Sequence, residues 1–507
     1  MAHSIMRHYT KPFALSALVV ALAGCAVGPN FNRPAAPATP GYVKNPLPSQ
    51  VGGADAGGTQ TLAQDQDIPA QWWTLFHSHE LNDLVEASLK RNPNIDAARA
   101  ALRQANEGTD AQWGSYFPTV SGSFNPTRQK TPAVLSSAVN SGAYVYSLHT
   151  AQLNIAFTPD VWGLNRRQVE SLDAQAESQR FQLEAAKLTL ASNVVVAAIQ
   201  EASLRAQIDA THRLIESQRK VLDSYQRQFK LGQASQADVL TQEAQLAQNE
   251  ATLPPLEKQL AQQRDLITAL AGRLPAEEVE TTFDLNGLQL PGELPVSLPS
   301  KLVEQRPDIR MAEAQLHSAS AQVGVAIANR LPNLQITGAY GSAASSIGGL
   351  FKPGTGLWDI AGDLTQPLFD AGTLKHRQRA AEAAYDEAAA QYRATVITAF
   401  QNVADTLHAI VTDADALRAA QYAEQTAKHQ LDIVTKQQTL GDVGSLVVVT
   451  AEQTWLQARL NTINAQANRL SDSAALMQAL GGGWWNDAEN PRPAPGCNNC
   501  GNAAPAS

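Results

Sequence analysis

Two stretches, residues 164–231 and 373–440, are rich in Ala and Gln and place apolar side chains at heptad spacing. Ile208, Ile215, Leu222 and Phe229 mark the seam of the first, and Val396, Val403, Ile410 and Leu417 that of the second. The period predicts long coiled-coil helices, each about 100 Å long at a rise of about 1.5 Å per residue. Between such helices the period falls to two. Leu153, Ile155 and Phe157 alternate with Asn154 and Ala156, and Leu334, Ile336, Gly338 and Tyr340 with Gln335, Thr337 and Ala339. Trp358, Ile360 and Leu364 are set against Asp359, Asp363 and Thr365. This predicts strands near 116–125, 144–157, 333–344 and 357–369, each close to the roughly 9–11 residues that cross a bilayer. The polar stretches 126–143 and 345–356 are the predicted outer loops.

The same order of elements occurs twice. Arg91-Asn92-Pro93-Asn94-Ile95 is echoed by Gln305-Arg306-Pro307-Asp308-Ile309, and Phe117-Pro118 by Leu331-Pro332. Phe157-Thr158-Pro159-Asp160-Val161-Trp162-Gly163 answers Leu364-Thr365-Gln366-Pro367-Leu368-Phe369-Asp370. Leu231-Gly232 answers Leu440-Gly441, and Ala269-Leu270-Ala271-Gly272 answers Ala479-Leu480-Gly481-Gly482. Ordered matches at nearly constant offset indicate duplication, with a first repeat over 76–290 and a second over 291–485. Pro254-Pro255 has no counterpart in the second repeat, so a kink or break is expected near Leu253 of the first alone.

The fold class expected is an α+β membrane protein: a duplicated unit of long coiled-coil helices with four transmembrane strands per subunit. Four strands cannot close a barrel, and open edges do not survive in hydrocarbon, so subunits have to contribute jointly. A soluble four-stranded sheet packed on the helices is the competing reading of the same strands. It is disfavoured because the helices leave little apolar surface beside the strands.

Residues 1–24 resemble a bacterial secretory leader: Arg7, His8 and Lys11, then an apolar run too short to span a membrane. Leu22-Ala23-Gly24-Cys25 resembles a lipobox. That implies a Cys25 carrying diacylglycerol on its thiol and palmitate on its amine, a stable anchor because two signals hold where one chain is marginal. Ala26 after it, rather than Asp, points to the outer membrane. Residues 25–75 are expected to be an extended segment and 486–507 a flexible tail, with Cys497 and Cys500 in an exposed C-N-N-C. A net charge of −9 and a pI near 5.6 give no basic surface for nucleic acid. No phosphate-binding glycine loop occurs. His77-Ser78-His79-Glu80 has potential metal ligands at a common spacing, and a structural or surface role is preferred. Neither enzyme activity nor a metal or cofactor is expected.

These features together resemble the outer-membrane factor family, the TolC-like efflux proteins, and in particular its NodT-type lipoprotein branch. Cys25-Ala26-Val27-Gly28-Pro29-Asn30-Phe31 with Arg33-Pro34 carries the resemblance, together with Trp72-Trp73-Thr74-Leu75-Phe76, Leu81-Asn82-Asp83-Leu84 and the two repeat marks. It implies a homotrimer in which four strands per subunit form a twelve-stranded barrel in outer-membrane lipid, continued by a helical tunnel across the periplasm. It also implies a periplasmic adaptor and an inner-membrane transporter, proton-driven, as partners. The helix-turn-helix tips are then the coupling sites: Gly232, Ser235 and Asp238 in one, and Gly441, Asp442, Gly444 and Ser445 in the other. The glycines end a helix and Ser235 and Ser445 are expected to cap the next. Asp238 and Asp442 are the candidates for a ring at the periplasmic entrance. The second tip departs from relatives that carry carboxylates there, having Val447-Val448-Val449-Thr450. The implied function is passive export of small molecules. A type I protein-secretion duct and a non-conducting structural lipoprotein are the alternatives.

Overall fold

The computed structural model of the 507-residue chain describes residues 26–53, 57–130 and 145–487. The leader, Cys25, Cys497, Cys500 and most of the expected loop 126–143 lie outside the described residues. In chain order the elements are β1 (Gln50–Gly53), β2 (Gly58–Gln64), α1 (His79–Arg91), α2 (Pro93–Trp113), β3 (Thr119–Lys130) and β4 (Val145–Phe157). Then come α3 (Leu164–Lys230), α4 (Gln236–Glu250), α5 (Leu253–Leu270), β5 (Glu293–Val296), α6 (Pro299–Gln305) and α7 (Pro307–Ala328). The chain closes with β6 (Asn333–Ala344), β7 (Gly356–Thr365), α8 (Thr373–Leu440) and α9 (Ser445–Ala479). The long helices α3 and α8 begin and end within one residue of their expected bounds.

One compact unit comprises the described residues within Met1–Pro34, Ala101–Gln179 and Ala312–Tyr392. Its sheet has the order β3-β4-β6-β7, every neighbouring pair antiparallel. The register puts Val120 opposite Ile155, Ile155 opposite Gly338 and Gly338 opposite Ile360, with Leu153, Tyr340 and Trp358 in the next row. Residues opposite one another share a face. One face therefore carries Val120, Phe124, Leu153, Ile155, Ile336, Tyr340, Trp358, Ile360 and Leu364, and all of these are exposed. The other carries Ser121, Ser123, Asn154, Gln152, Thr337, Asp359 and Asp363, with Asn154 Nδ2 donating to Ser123 Oγ at 3.0 Å. A soluble sheet packed on helices would bury the apolar face, and this sheet does not.

Two strand bounds differ from expectation. β3 starts later than 116 because Gly114–Tyr116 forms a single 3-10 turn, and it runs past 125 through Pro126 to Lys130. β7 stops at Thr365 rather than 369, just before Gln366-Pro367.

The start of the described chain is not free in this unit. Val27 N donates to Trp162 O at 3.0 Å. The buried Arg167 donates from Nε to Val27 O at 3.1 Å and from Nη2 to Asn30 Oδ1 at 2.8 Å, while Nη1 pairs with Glu170 at 2.7 Å. His317 Nε2 meets the other Glu170 oxygen at 2.9 Å, and Phe31 stacks on its ring at 4.4 Å. Gly28, at φ 94°, lies so close to Gly324 that a Cβ would stand 2.4 Å from its Cα.

The other unit comprises the described residues within Ala35–Ala100, Arg180–Met311 and Arg393–Ser507. Here the expected extended segment pairs antiparallel, β1 on β2, and β2 pairs in parallel with β5 from the start of the second repeat. The buried Arg469 holds that strand pair, donating to Gln60 Oε1 at 3.2 Å and to Gly58 O at 3.0 Å. Trp72, Trp73 and Phe76 are buried, and the Trp72 ring packs edge-on against both Trp73 and Phe76. Each repeat closes on its own last helix: Asn92 Nδ2 donates to Leu270 O at 2.9 Å, and Arg306 Nη1 to Ala479 O at 2.8 Å. The heptad seam of the second repeat is buried at Val396, Val403, Ile410 and Leu417. In the first repeat only Ile215 is buried; Ile208 and Leu222 are partly so and Phe229 is exposed, because the buried stripe passes instead through Val194, Ile199, Ala210 and Val221. The helix break falls at Ala251-Thr252, and Pro254 and Pro255 occupy the first turn of α5, where a missing N–H costs little.

Gly28→Ala should force the segment 26–33 off this unit, at a cost of about 1–3 kcal/mol for strain and clash. Limited proteolysis should then cut within residues 26–40 well before it does in the native protein.

Candidate functional site

Both helix-turn-helix tips lie in the second unit described. The first follows α3. Gly232 takes φ 74°, its N–H donates to Phe229 O at 2.9 Å, and Gln233 N donates to Gln228 O at 2.8 Å. This left-handed stop satisfies carbonyls that the helix end leaves orphaned. Ser235 then caps α4: its Oγ accepts from Asp238 N at 3.2 Å, and Asp238 Oδ2 accepts in return from Ser235 N at 2.9 Å and Ser235 Oγ at 2.7 Å. The result is a capping box. These bonds, the hydroxyl first and the backbone N–H second, hold the Asp238 carboxyl below the ordinary carboxylate range. Asp238 is therefore ionised at physiological pH, fully exposed, and engaged through one oxygen.

The second tip follows α8. Gly441 takes φ 85°, its N–H donates to Gln438 O at 3.0 Å, and Asp442 N donates to Gln437 O at 3.0 Å, so the stop is built as in the first tip. The start of the next helix is not. The capping position is Gly444, which has no side chain to offer, and Ser445 is already the first residue of α9. The expected Ser445 cap is thus displaced by one residue. Asp442 is exposed in the turn. Of the valines that follow, Val447 is exposed, while Val448 packs with Trp455 against Leu431, Val434 and Ala451. Val448 therefore belongs to the helix–helix seam.

What the tips share outwardly is a leucine. Leu231 and Leu440, repeat equivalents, are 73% and 76% exposed. Behind the tips, about 18 Å along α3 at 1.5 Å per residue, Gln218 forms a junction that its sequence surroundings did not signal. Its buried side chain donates to Gln242 Oε1 on α4 at 3.1 Å and accepts from Gln453 on α9, beside Ser217 Oγ donating to Glu452 at 2.8 Å. Further along, Asp413 on α8 faces Asp472 on α9. Burial, then the hydrogen bond and charge of Asp472, push the Asp413 carboxyl up to about 7.

The histidine segment proves to be a helix start. Ser78 caps α1 by accepting from Leu81 N at 3.2 Å, and His79 pairs with Asp83 one turn on at 2.9 Å.

Removing the cap tests the first tip. Ser235→Ala should cost about 1 kcal/mol locally and raise amide exchange in the first turn of α4, whereas Ser445→Ala should leave the start of α9 unchanged.

With the geometry in place, the chain can be set against known proteins. Residues 84–273 and 298–482, one segment in each repeat, match the model of the outer membrane efflux protein family. The chain is 28% identical over 493 residues to the toluene efflux pump outer membrane protein TtgF of Pseudomonas putida, covering 94% of this chain and 97% of the relative. It is 29% identical over 454 residues to the pyoverdine export outer membrane protein OpmQ of the same species, covering 87% and 95%. Among solved structures, the outer-membrane channel OprN superposes with a TM-score of 0.78 at 26% identity, covering 91% of this chain and all of that one. The open-state MtrE channel of Neisseria gonorrhoeae superposes at 0.77, with 24% identity and 91% and 99% coverage. The chain is an outer-membrane efflux channel subunit and belongs to the outer membrane efflux protein family.

Proposed function

We propose that three copies of this chain join edge to edge into a twelve-stranded barrel and act as the exit duct of a tripartite system, passively passing small molecules from a periplasmic adaptor and an inner-membrane pump to the exterior. The observation that carries the proposal is the two-faced sheet with open edges at β3 and β7. Its apolar face matches lipid and its polar face a water-filled lumen. A structural tether has no use for such a sheet. Relatives named for toluene and pyoverdine favour small molecules over secreted proteins as cargo.

The anchor and tips follow from the same reading. Ala26 lies against Gly163, where a Cβ would stand 2.7 Å from the Ala26 Cα, just before α3 and six residues after β4 ends at Phe157. A diacylglyceryl, palmitoylated Cys25 is the proposed anchor of the segment that Ala26 begins. Leu231 and Leu440 give an adaptor two similar apolar footholds per subunit, and Asp238 and Asp442 place negative charge beside them. The chain itself does no chemistry; a proton-driven transporter supplies the energy.

Two outcomes are expected. In cells lacking other outer-membrane ducts, expression of the chain with its adaptor and pump should lower accumulation of dyes and small apolar toxicants; unchanged accumulation across a broad panel would favour protein secretion. Ile360→Arg, on the apolar face, should cost about 2–4 kcal/mol at mid-membrane and abolish the heat-modifiable oligomer on denaturing gels. Asp359→Arg, on the opposite face, should leave the oligomer intact.

A further inference from the structure

The duplication supplies one contact that is made inside the chain and left open a second time. β4, the last strand of the first repeat, pairs with β6, the first strand that the second repeat gives to this sheet, with Phe157 opposite Ile336. Just beyond, the turn after β4 sets Trp162 on the corner between α7 and β6, where Trp162 Nε1 donates to Pro332 O at 2.7 Å. Turn and corner together line a cavity of about 250 Å³.

The repeat equivalent of that turn is 364–370, and that of the corner is Phe117-Pro118. In the second repeat the turn carries Leu368 and Phe369, which are 95% and 90% exposed. The corner of the first repeat presents Phe117, 68% exposed, next to Trp113 and Tyr116, whose rings lie 5.1 Å apart. Within one chain the two are held apart, because β7 and β3 are the opposite edges of the sheet.

We propose that Leu368 and Phe369 of one copy dock, as a wedge, on the Trp113-Tyr116-Phe117-Pro118 corner of a second copy, as the between-chain counterpart of Trp162 on Pro332. This rests on the reading that copies join through β7 and β3. Strand direction alternates across the sheet, so β7 runs antiparallel to a neighbouring β3, and the end of one meets the start of the other. Carrying the β4–β6 register over to the equivalent strands places Leu364 opposite Gly122 of the next copy. The interface is thereby continuous from the strand edges to the corner. The Phe369 side chain has no N–H to donate, so this contact replaces the indole hydrogen bond of Trp162 with ring-on-ring packing against an aromatic receptor. Only a second copy of this chain presents that receptor at that distance from a β3 edge.

Paired cysteines test it in the full-length protein in its membrane, with Cys497→Ser and Cys500→Ser removing the tail thiols. Phe369→Cys with Phe117→Cys should yield an inter-chain product with a short bis-maleimide, as should Asp363→Cys with Ser123→Cys across the strand edges. A product from the strand pair alone overturns the wedge and keeps the ring; no product from either overturns the ring and the wedge with it. Leu368→Ser with Phe369→Ser should also lower the temperature at which the detergent-resistant oligomer dissociates, whereas Ile347→Ser, beyond the far end of β6, should not. Equal dissociation temperatures would count against the wedge.

Discussion

The constraint on which everything else depends is that hydrocarbon offers no hydrogen bonds. β3 and β7 each leave one row of backbone N–H and C=O groups unpaired within the chain. On a sheet whose outward face is Val120, Phe124, Ile155, Tyr340, Trp358 and Ile360, those rows stand in lipid unless another strand meets them. A single copy is therefore an incomplete object. Every strand it contributes has an exposed apolar face, and its stability in the membrane is inseparable from association.

Away from the sheet, helix ends are fastened in the same way in both repeats. In each repeat, the residue before the helix-opening proline reaches back to the last carbonyls of that repeat: Asn92 to Leu270, and Arg306 to Ala479. Gly272 and Gly481 lie so close to Arg91 O and Gln305 O that a side chain would collide. One solution to one packing problem is thus used twice with different polar side chains. This explains why the repeat marks keep the proline and vary the residue before it.

Much of this was legible in the sequence. Helix bounds were readable because a seam of apolar residues over many turns is a strong periodic signal. The strand faces were readable because period two is unambiguous when Trp, Ile and Leu alternate with Asp and Thr. What escaped was what depends on distant partners. The β1–β2 pair joins β5 from the far side of the first repeat, and its anchor, Arg469, looks like any helix-surface arginine until it is found buried among carbonyls. Arg167 gave no more warning of its hold on residues 27–30. The first seam departs from the strict seven-residue count at Phe229, whereas the second keeps it at Val396, Val403, Ile410 and Leu417. At the tips, Ser-x-x-Asp announced a capping box that could have been read outright. In the second tip, a glycine one residue ahead of the serine took the capping position.

The break at Ala251-Thr252 makes the hairpins mechanically unequal. In the second repeat the strand of peptide hydrogen bonds returning from the tip is unbroken over 35 residues, whereas in the first it is interrupted after 15. A continuous helix carries a displacement along its length as a rod does, and an interrupted one bends at the joint. The same push at the two tips is thus absorbed locally in one and conveyed along the helix in the other, so a subunit with duplicated parts answers a load asymmetrically.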